Sequence, residues 1–163
     1  MKKLTQLCLL IITTCCFVSC DNNMTWDIAP VYFTFNVQDA NGNDLLDPNT
    51  ENNILDNDIK VVFEDKEYPK DVDMTPTENT KFYMAVLKGL YTVKYDDDDY
   101  HLEFGQFMGS EDHDKSFVIH WGDGTHDEVS FVHDYKFRVN KPKISTKIFL
   151  NGKESNNRFV IVK

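Results

Sequence analysis

Phe117-Val118-Ile119-His120-Trp121-Gly122-Asp123-Gly124-Thr125-His126-Asp127-Glu128-Val129-Ser130-Phe131 sets two apolar runs on either side of a glycine-containing loop. Branched and aromatic residues at alternate positions suit a pleated strand, and Gly122-Asp123-Gly124 supplies a turn between them, the signature of a β-hairpin. The register depends on which side chains meet. A two-residue turn at Asp123-Gly124 would set Phe117 against Ser130 and Ile119 against Glu128, mixing apolar and polar positions on one face. A five-residue loop instead matches Phe117 with Phe131 and Ile119 with Val129, giving one apolar face, with His120 opposite Glu128 outside it. A slip of one residue flips every side chain, so the longer loop is the expected one.

The same period of two appears on both sides of this hairpin. Upstream, Val31, Phe33, Phe35 and Val37 alternate with Tyr32, Thr34, Asn36 and Gln38, a half-buried strand. Ile59–Phe63, Phe82–Leu87, Leu90–Tyr95 and Tyr100–Phe107 read as further strands, with Glu64–Lys66 a turn into Glu67-Tyr68. Downstream, Pro142 separates the hairpin from a strand over Ile144–Leu150, Asn151-Gly152 signals a turn, and Phe159–Val162 closes the series. Residues 39–58 are rich in Asn, Asp, Gly and Pro and read as a long loop. No stretch carries a helical stripe. The expected fold is all-β: an immunoglobulin-like antiparallel β-sandwich of about seven to nine strands, after a cleaved signal peptide.

That signal is the N-terminus. Met1-Lys2-Lys3 gives a positive start, Leu7–Val18 an apolar stretch, and Ser19-Cys20 a small residue before a cysteine. The apolar stretch is short for a membrane span, which needs about 20 residues. Phe17-Val18-Ser19-Cys20 resembles the bacterial lipobox, with Phe17 in place of the usual leucine. The resemblance implies cleavage before Cys20 and a lipid thioether on its sulfur. Several acyl chains on one residue satisfy the requirement for more than one anchor. The expected organisation is residues 1–19 as signal peptide, 20–30 as lipidated tether and 31–163 as a single β-sandwich domain. All four cysteines (Cys8, Cys15, Cys16, Cys20) lie in or at the end of the leader, which leaves no thiol for a disulfide or a cysteine metal site in the body.

Lys2 and Lys3 leave with the leader and take the net charge from −10 to −12. Such acidity opposes phosphate backbones, so no nucleic-acid partner is expected. For chemistry, Asp39-Ala40-Asn41-Gly42-Asn43-Asp44-Leu45-Leu46-Asp47 places oxygen side chains at alternate positions, like the first half of a calcium loop. Asp39, Asn41, Asn43 and Asp47 are the candidate ligands. The pattern then departs, with Asp44 where glycine would turn and Thr50 where a bidentate glutamate would close the site. The competing reading is an Asn/Gly turn whose Asx side chains bond their own backbone. Asp96–Asp99 reads as a solvated tip. His101, His113, His120, His126 and His133 lack metal-ligand spacing, so no confident metal site is assigned. No G-x-S-x-G elbow or phosphate loop occurs, and no catalytic residue is assigned. Trp121, at the mouth of the hairpin loop, with Tyr32, Tyr83 and Tyr91, offers aromatic platforms of the kind that hold sugars. An edge strand such as Val31–Gln38 or Phe159–Val162 would suit strand pairing with a partner.

The ending of the lipobox, Val18-Ser19-Cys20, the Asp39–Leu46 turn, Trp121-Gly122-Asp123-Gly124-Thr125 and Phe149-Leu150-Asn151-Gly152-Lys153 together resemble small cell-surface lipoproteins of Bacteroidetes bacteria. The Trp-Gly-Asp-Gly stretch is also similar to surface β-sandwich modules of the polycystic-kidney-disease type, without their fuller motif. The resemblance implies an outer-membrane lipid anchor, on the periplasmic or cell-surface side, and supplies no catalytic residue. The expected function is a lipid-anchored extracytoplasmic binding or structural module for a glycan or protein ligand, not an enzyme. The alternative is an accessory enzyme hydrolysing extracellular glycan or peptide.

Overall fold

Alternation of large apolar with polar residues generates strands throughout, and no helix occurs among the described residues. A computed structural model describes residues 30–72, 89–94, 99–107, 114–138 and 141–163, except for the side chains at 135, 137, 138, 141 and 142. Cys20, the leader and the tether up to residue 29 lie outside these residues, as do Phe82–Leu87, residues 96–98 and His113.

Among the described residues ten strands form two sheets: β1 (Val31–Gln38), β2 (Lys60–Phe63), β3 (Lys66–Pro69), β4 (Leu90–Lys94), β5 (Tyr100–Phe107), β6 (Lys115–His120), β7 (His126–Arg138), β8 (Lys141–Leu150), β9 (Lys153–Ser155) and β10 (Arg158–Val162). One sheet has the order β10-β1-β5-β4 and the other β3-β2-β6-β7-β8-β9. The all-β expectation holds. Two short strands, β3 and β9, each follow a tight turn. Glu64 and Asp65 both adopt positive φ (49° and 60°) to join β2 to β3, and Asn151-Gly152 joins β8 to β9.

Three details differ from the sequence reading. The sandwich is not wholly antiparallel, because β10 pairs with β1 in parallel. Pro142 does not interrupt the chain: it lies within β8, opposite Phe137 of β7. The hairpin register is two residues from the expected one, with Phe117 opposite Val129, Ile119 opposite Asp127 and His120 opposite His126. A shift of two preserves the faces, so Phe117, Ile119, Val129 and Phe131 all remain buried. The five-residue loop is Trp121–Thr125.

The core between the sheets is chiefly aromatic. Phe33 of β1 meets Phe107, Phe117, Phe131 and Phe159, with ring centres 5.0–6.2 Å apart. Phe35 meets Phe117, Trp121 and Phe159. These contacts seat β1 over β6 and β7, while Tyr68 and Phe63 bring β3 and β2 against Phe104 of β5. Strand β5 bulges at Gly105, which has φ +91°, and the pairing with β1 shifts there. A Cβ at Gly105 would lie 2.2 Å from the Phe107 ring, so only glycine lets that ring turn back into the core.

Candidate functional site

The best-built corner of the molecule is the β6–β7 hairpin tip. Asp123 Oδ1 accepts hydrogen bonds from Thr125 N–H (2.8 Å) and Thr125 Oγ1–H (2.6 Å), an Asx turn that closes the loop on itself. Trp121 N–H donates to the Thr125 carbonyl at 3.1 Å. The indole turns inward rather than outward. Trp121 is fully buried, so it is a core plug and not the exposed platform its loop position suggested. Its Nε1–H donates to Asp127 Oδ2 at 2.7 Å, and Asn151 Nδ2 donates to Asp127 Oδ1 at 2.7 Å. Asp127 sits opposite Ile119, beside the indole, and His120 has His126 opposite it rather than Glu128. Asn57 Nδ2 donates to the Trp121 carbonyl at 3.2 Å. Gly122, at φ +74°, packs so closely that a Cβ would lie 2.6 Å from the Asp58 nitrogen. The tip is therefore fixed to the long 39–58 loop by close packing as well as by polar bonds.

Lys163 completes the corner. Its Nζ lies 5.1 Å from the centre of the Trp121 ring, 3.0 Å from Asp123 Oδ2 and in hydrogen-bond contact with Thr125 Oγ1. Beside it a cleft of about 580 Å³ is lined by Asp123, Thr125, His126, Asp127 and Leu150 on one wall and Val160–Lys163 on the other. The Thr125 hydroxyl and amide, followed by the Lys163 ammonium, hold the Asp123 carboxyl down to about 2 from its ordinary 3.8. A depressed carboxyl stabilises the folded state above the unfolded value, and that contribution disappears as pH falls from 3.8 through 2. Asp123→Asn is accordingly expected to flatten the acid limb of a plot of Tm against pH in that window, while leaving the slope near neutrality unchanged. Equal acid limbs for both proteins would refute this.

The calcium candidates are partly brought together. Asp39, Asn41 and Asn43 line a shallow surface cleft with Thr50, Glu51 and Asn52, whereas Asp47 stands apart and accepts from Asn49. Asp39 Oδ1 accepts the N–H of Asn41 (2.8 Å) and of Asn43 (2.9 Å), and Oδ2 accepts Asn43 Nδ2–H (2.7 Å). The Asn43 side chain, followed by its backbone amide, lowers the Asp39 pKa. A cation there would compete with three N–H groups for one carboxylate, so the geometry follows the Asx-turn reading. Asp44 likewise serves the fold, bonding Leu46 N–H and reaching Tyr100 N–H of β5 at 2.9 Å. Glu51, the second acidic side chain lining that cleft after Asp39, carried no sequence signal, because its approach depends on the turns at Asp47–Thr50 and Thr50–Asn53.

The histidines divide. His133 is buried, its Nδ1 2.8 Å from Thr146 Oγ1, and His101 is nearly so, its Nδ1 2.9 Å from Asn36 Nδ2. His120 and His126 lie together on the outer face of the hairpin, with ring centres 5.8 Å apart. Of the aromatic platforms, Tyr32 is half-buried and its hydroxyl receives Gln106 Nε2–H at 2.6 Å, Tyr91 is half-buried, and Tyr83 lies outside the described residues.

The four sheet margins are unequal. Strand β3 is four residues long and carries Lys66, Glu67 and Pro69, and β9 is three residues long and carries Lys153 and Glu154. Along β4, Asp71 Oδ1 accepts the Thr92 N–H at 2.7 Å, and Asp71 N–H donates to the Leu90 carbonyl at 2.8 Å. Burial raises the Asp71 pKa, but Lys70 and Thr92 together outweigh it, so the carboxyl is held below its ordinary value and stays charged against that margin. These are the usual devices that blunt an edge. Strand β10, Arg158-Phe159-Val160-Ile161-Val162, has no charge, proline or bulge in its centre. The other expected edge, Val31–Gln38, is interior, flanked by β10 and β5.

Fold and corner together define an all-β protein of two facing sheets with a pinned hairpin tip and, among the described residues, one unblunted margin. Comparison with protein-family models, with curated proteins and with solved structures finds no match.

Proposed function

We propose that this chain is a lipid-anchored extracytoplasmic binding module that takes up an extended polypeptide segment along β10. The observation that carries the reading is the state of that edge. Asn157 O accepts from Thr34 N–H and Lys163 N–H donates to Gln38 O, and parallel pairing alternates between these ends, so residues 157, 159, 161 and 163 serve β1. Arg158, Val160 and Val162 consequently turn their backbone groups away from β1. Arg158 N–H is taken by Asn156 Oδ1, which leaves Val160 and Val162 to present the ladder. A segment added there gains main-chain bonds from β10 and a place for side chains in the cleft beside Leu150. The ending of the leader at Val18-Ser19-Cys20 supports an anchor in the outer membrane, on its periplasmic or cell-surface side, with Cys20 as the acylated residue.

The test uses a fluorescent peptide of about eight residues alternating valine and threonine, a length matched to a β-strand. Val160→Pro removes an outward N–H without touching the bonds to β1. It is expected to weaken peptide binding about tenfold, the scale of one lost hydrogen bond, with Tm nearly unchanged. Ile161→Pro, which removes a bond to β1, is expected to lower Tm. Binding to the unaltered protein that persists in Val160→Pro would overturn the proposed edge. The anchor is tested separately by palmitate labelling in a bacterial host, which Cys20→Ser should abolish.

A further inference from the structure

We infer that His120 and His126 form a two-imidazole chelate for a borderline divalent cation of the zinc, nickel or copper(II) type. The two residues are direct partners across the β6–β7 ladder, at the last pair before the loop. Their ring centres are 5.8 Å apart and their planes are inclined by 39°. Two imidazoles on one zinc ion, with Zn–N of about 2.1 Å, put their ring centres roughly 5–6 Å apart. The spacing already found in this pair is therefore the spacing a shared metal requires, without a change of backbone.

Affinity depends on how little must be ordered when the ion arrives. Here the backbone carrying both rings is locked from three directions. Asp123 and Thr125 close the loop between them, Trp121 and Asp127 anchor the residues next to each histidine, and the close contact of Gly122 with Asp58 holds the tip against the neighbouring loop. The rings themselves are accessible: His126 is exposed and His120 half-buried. Lys163 lines the cleft with His126, its ammonium directed to Asp123 at 3.0 Å, and Lys60 is the cross-strand neighbour of His120 on β2. The Lys60 ammonium is directed to Glu67 at 2.8 Å, so its charge is partly offset. Beyond these the chain is strongly acidic, at −10 overall, which favours a bound cation. Among the described residues no third His, Cys, Asp or Glu converges on the pair, so water or a ligand from a partner completes the coordination shell.

Imidazole ligands suit zinc, copper and nickel, whereas calcium and magnesium select oxygen. The class of ion is thus different from the one the 39–47 loop would take, and the two sites are separable by experiment. The untagged full chain, with its four thiols alkylated, is titrated with zinc chloride by calorimetry, while the histidine ring signals are followed by NMR. The expected result is saturable binding of one ion per chain, with the His120 and His126 signals moving and those of His101 and His133 unchanged. His120→Gln and His126→Gln are each expected to weaken binding at least about tenfold, since a chelate reduced to one ligand loses more than a single hydrogen bond's worth of free energy. Both sites lie on the outer face, so circular dichroism and Tm should show the variants folded. Calcium chloride, as the control, should leave both ring signals in place. Absence of saturable zinc binding, or binding that survives the double variant, would overturn the assignment.

Discussion

Phe33→Ala is expected to destabilise the protein by about 3–5 kcal/mol, the range for removing a fully buried aromatic side chain. The ring has no solvent exposure and sits at the centre of the aromatic core, touching Phe107 of its own sheet, Phe159 of β10, and Phe117 and Phe131 of the facing sheet. Its loss removes transfer free energy and leaves a cavity whose walls are rigid rings on four different strands, which cannot collapse inward together. Of a typical domain stability of about 5–15 kcal/mol, that is a large share. Urea unfolding should show the midpoint falling with little change in slope. The contrasting variant is Val160→Ala, at a position 61% exposed, where a change within about 0.5 kcal/mol is expected. A Phe33→Ala protein as stable as the parent would mean that the core is not organised around β1.

Trp121→Ala is expected to cost a similar amount, about 3–5 kcal/mol, for a different combination of reasons. The indole is fully buried against Phe35, its Nε1–H is the partner of Asp127, and its outer face carries the Lys163 ammonium. Truncation therefore opens the end of the core and leaves Asp127 with Asn151 alone. Trp121→Phe separates these contributions. It keeps much of the bulk and loses the hydrogen bond, so about 1–3 kcal/mol is expected from the unsatisfied polar group. Hydrogen exchange gives a second readout: Thr125 and Lys163 amides should lose protection in both variants, whereas the amides of β5 should not. A Trp121→Phe variant indistinguishable from the parent would show that the indole nitrogen does not help to hold the hairpin tip.

Both variants bear on the function proposed for this end of the molecule. Lys163 and Val162 form one wall of the cleft beside β10, and the hairpin tip forms the other. Loosening Trp121 should therefore weaken the uptake of an extended peptide as well as the stability, whereas Phe33→Ala should weaken uptake only through the unfolded fraction.

How much of this was legible in the sequence differs by residue. Val31–Gln38 appears as a strand with the bounds its alternation indicated, because a strand with one buried face must repeat every two residues. The same logic identified Tyr100–Phe107, but not its bulge, since Gly105 acquires its meaning only from the Phe107 ring that lies over it. The turns before Glu67-Tyr68 and at Asn151-Gly152 were legible, but Lys66–Pro69 and Lys153–Ser155 are too short and too charged for a period of two to mark them as strands, and each is a strand because a neighbour offers a ladder across a tight turn. At residues 39–47 the oxygen spacing was plain in the sequence, whereas the bonds of Asp39 to Asn41 and Asn43 are seen only in the structure.

Alternation alone determined that the chain folds as β-structure and which faces of Phe117–Phe131 are buried. The tertiary structure alone decided the pairing within that face, the choice of His126 rather than Glu128 as the partner of His120, and the inward turn of Trp121. The reason lies in range. A period of two is a local property that a two-residue slip leaves intact, so it cannot distinguish Phe117 against Phe131 from Phe117 against Val129. In the native pairing Asp127 bonds an indole six residues back and an asparagine in the β8–β9 turn, contacts that exist only once β6, β7 and β8 have paired.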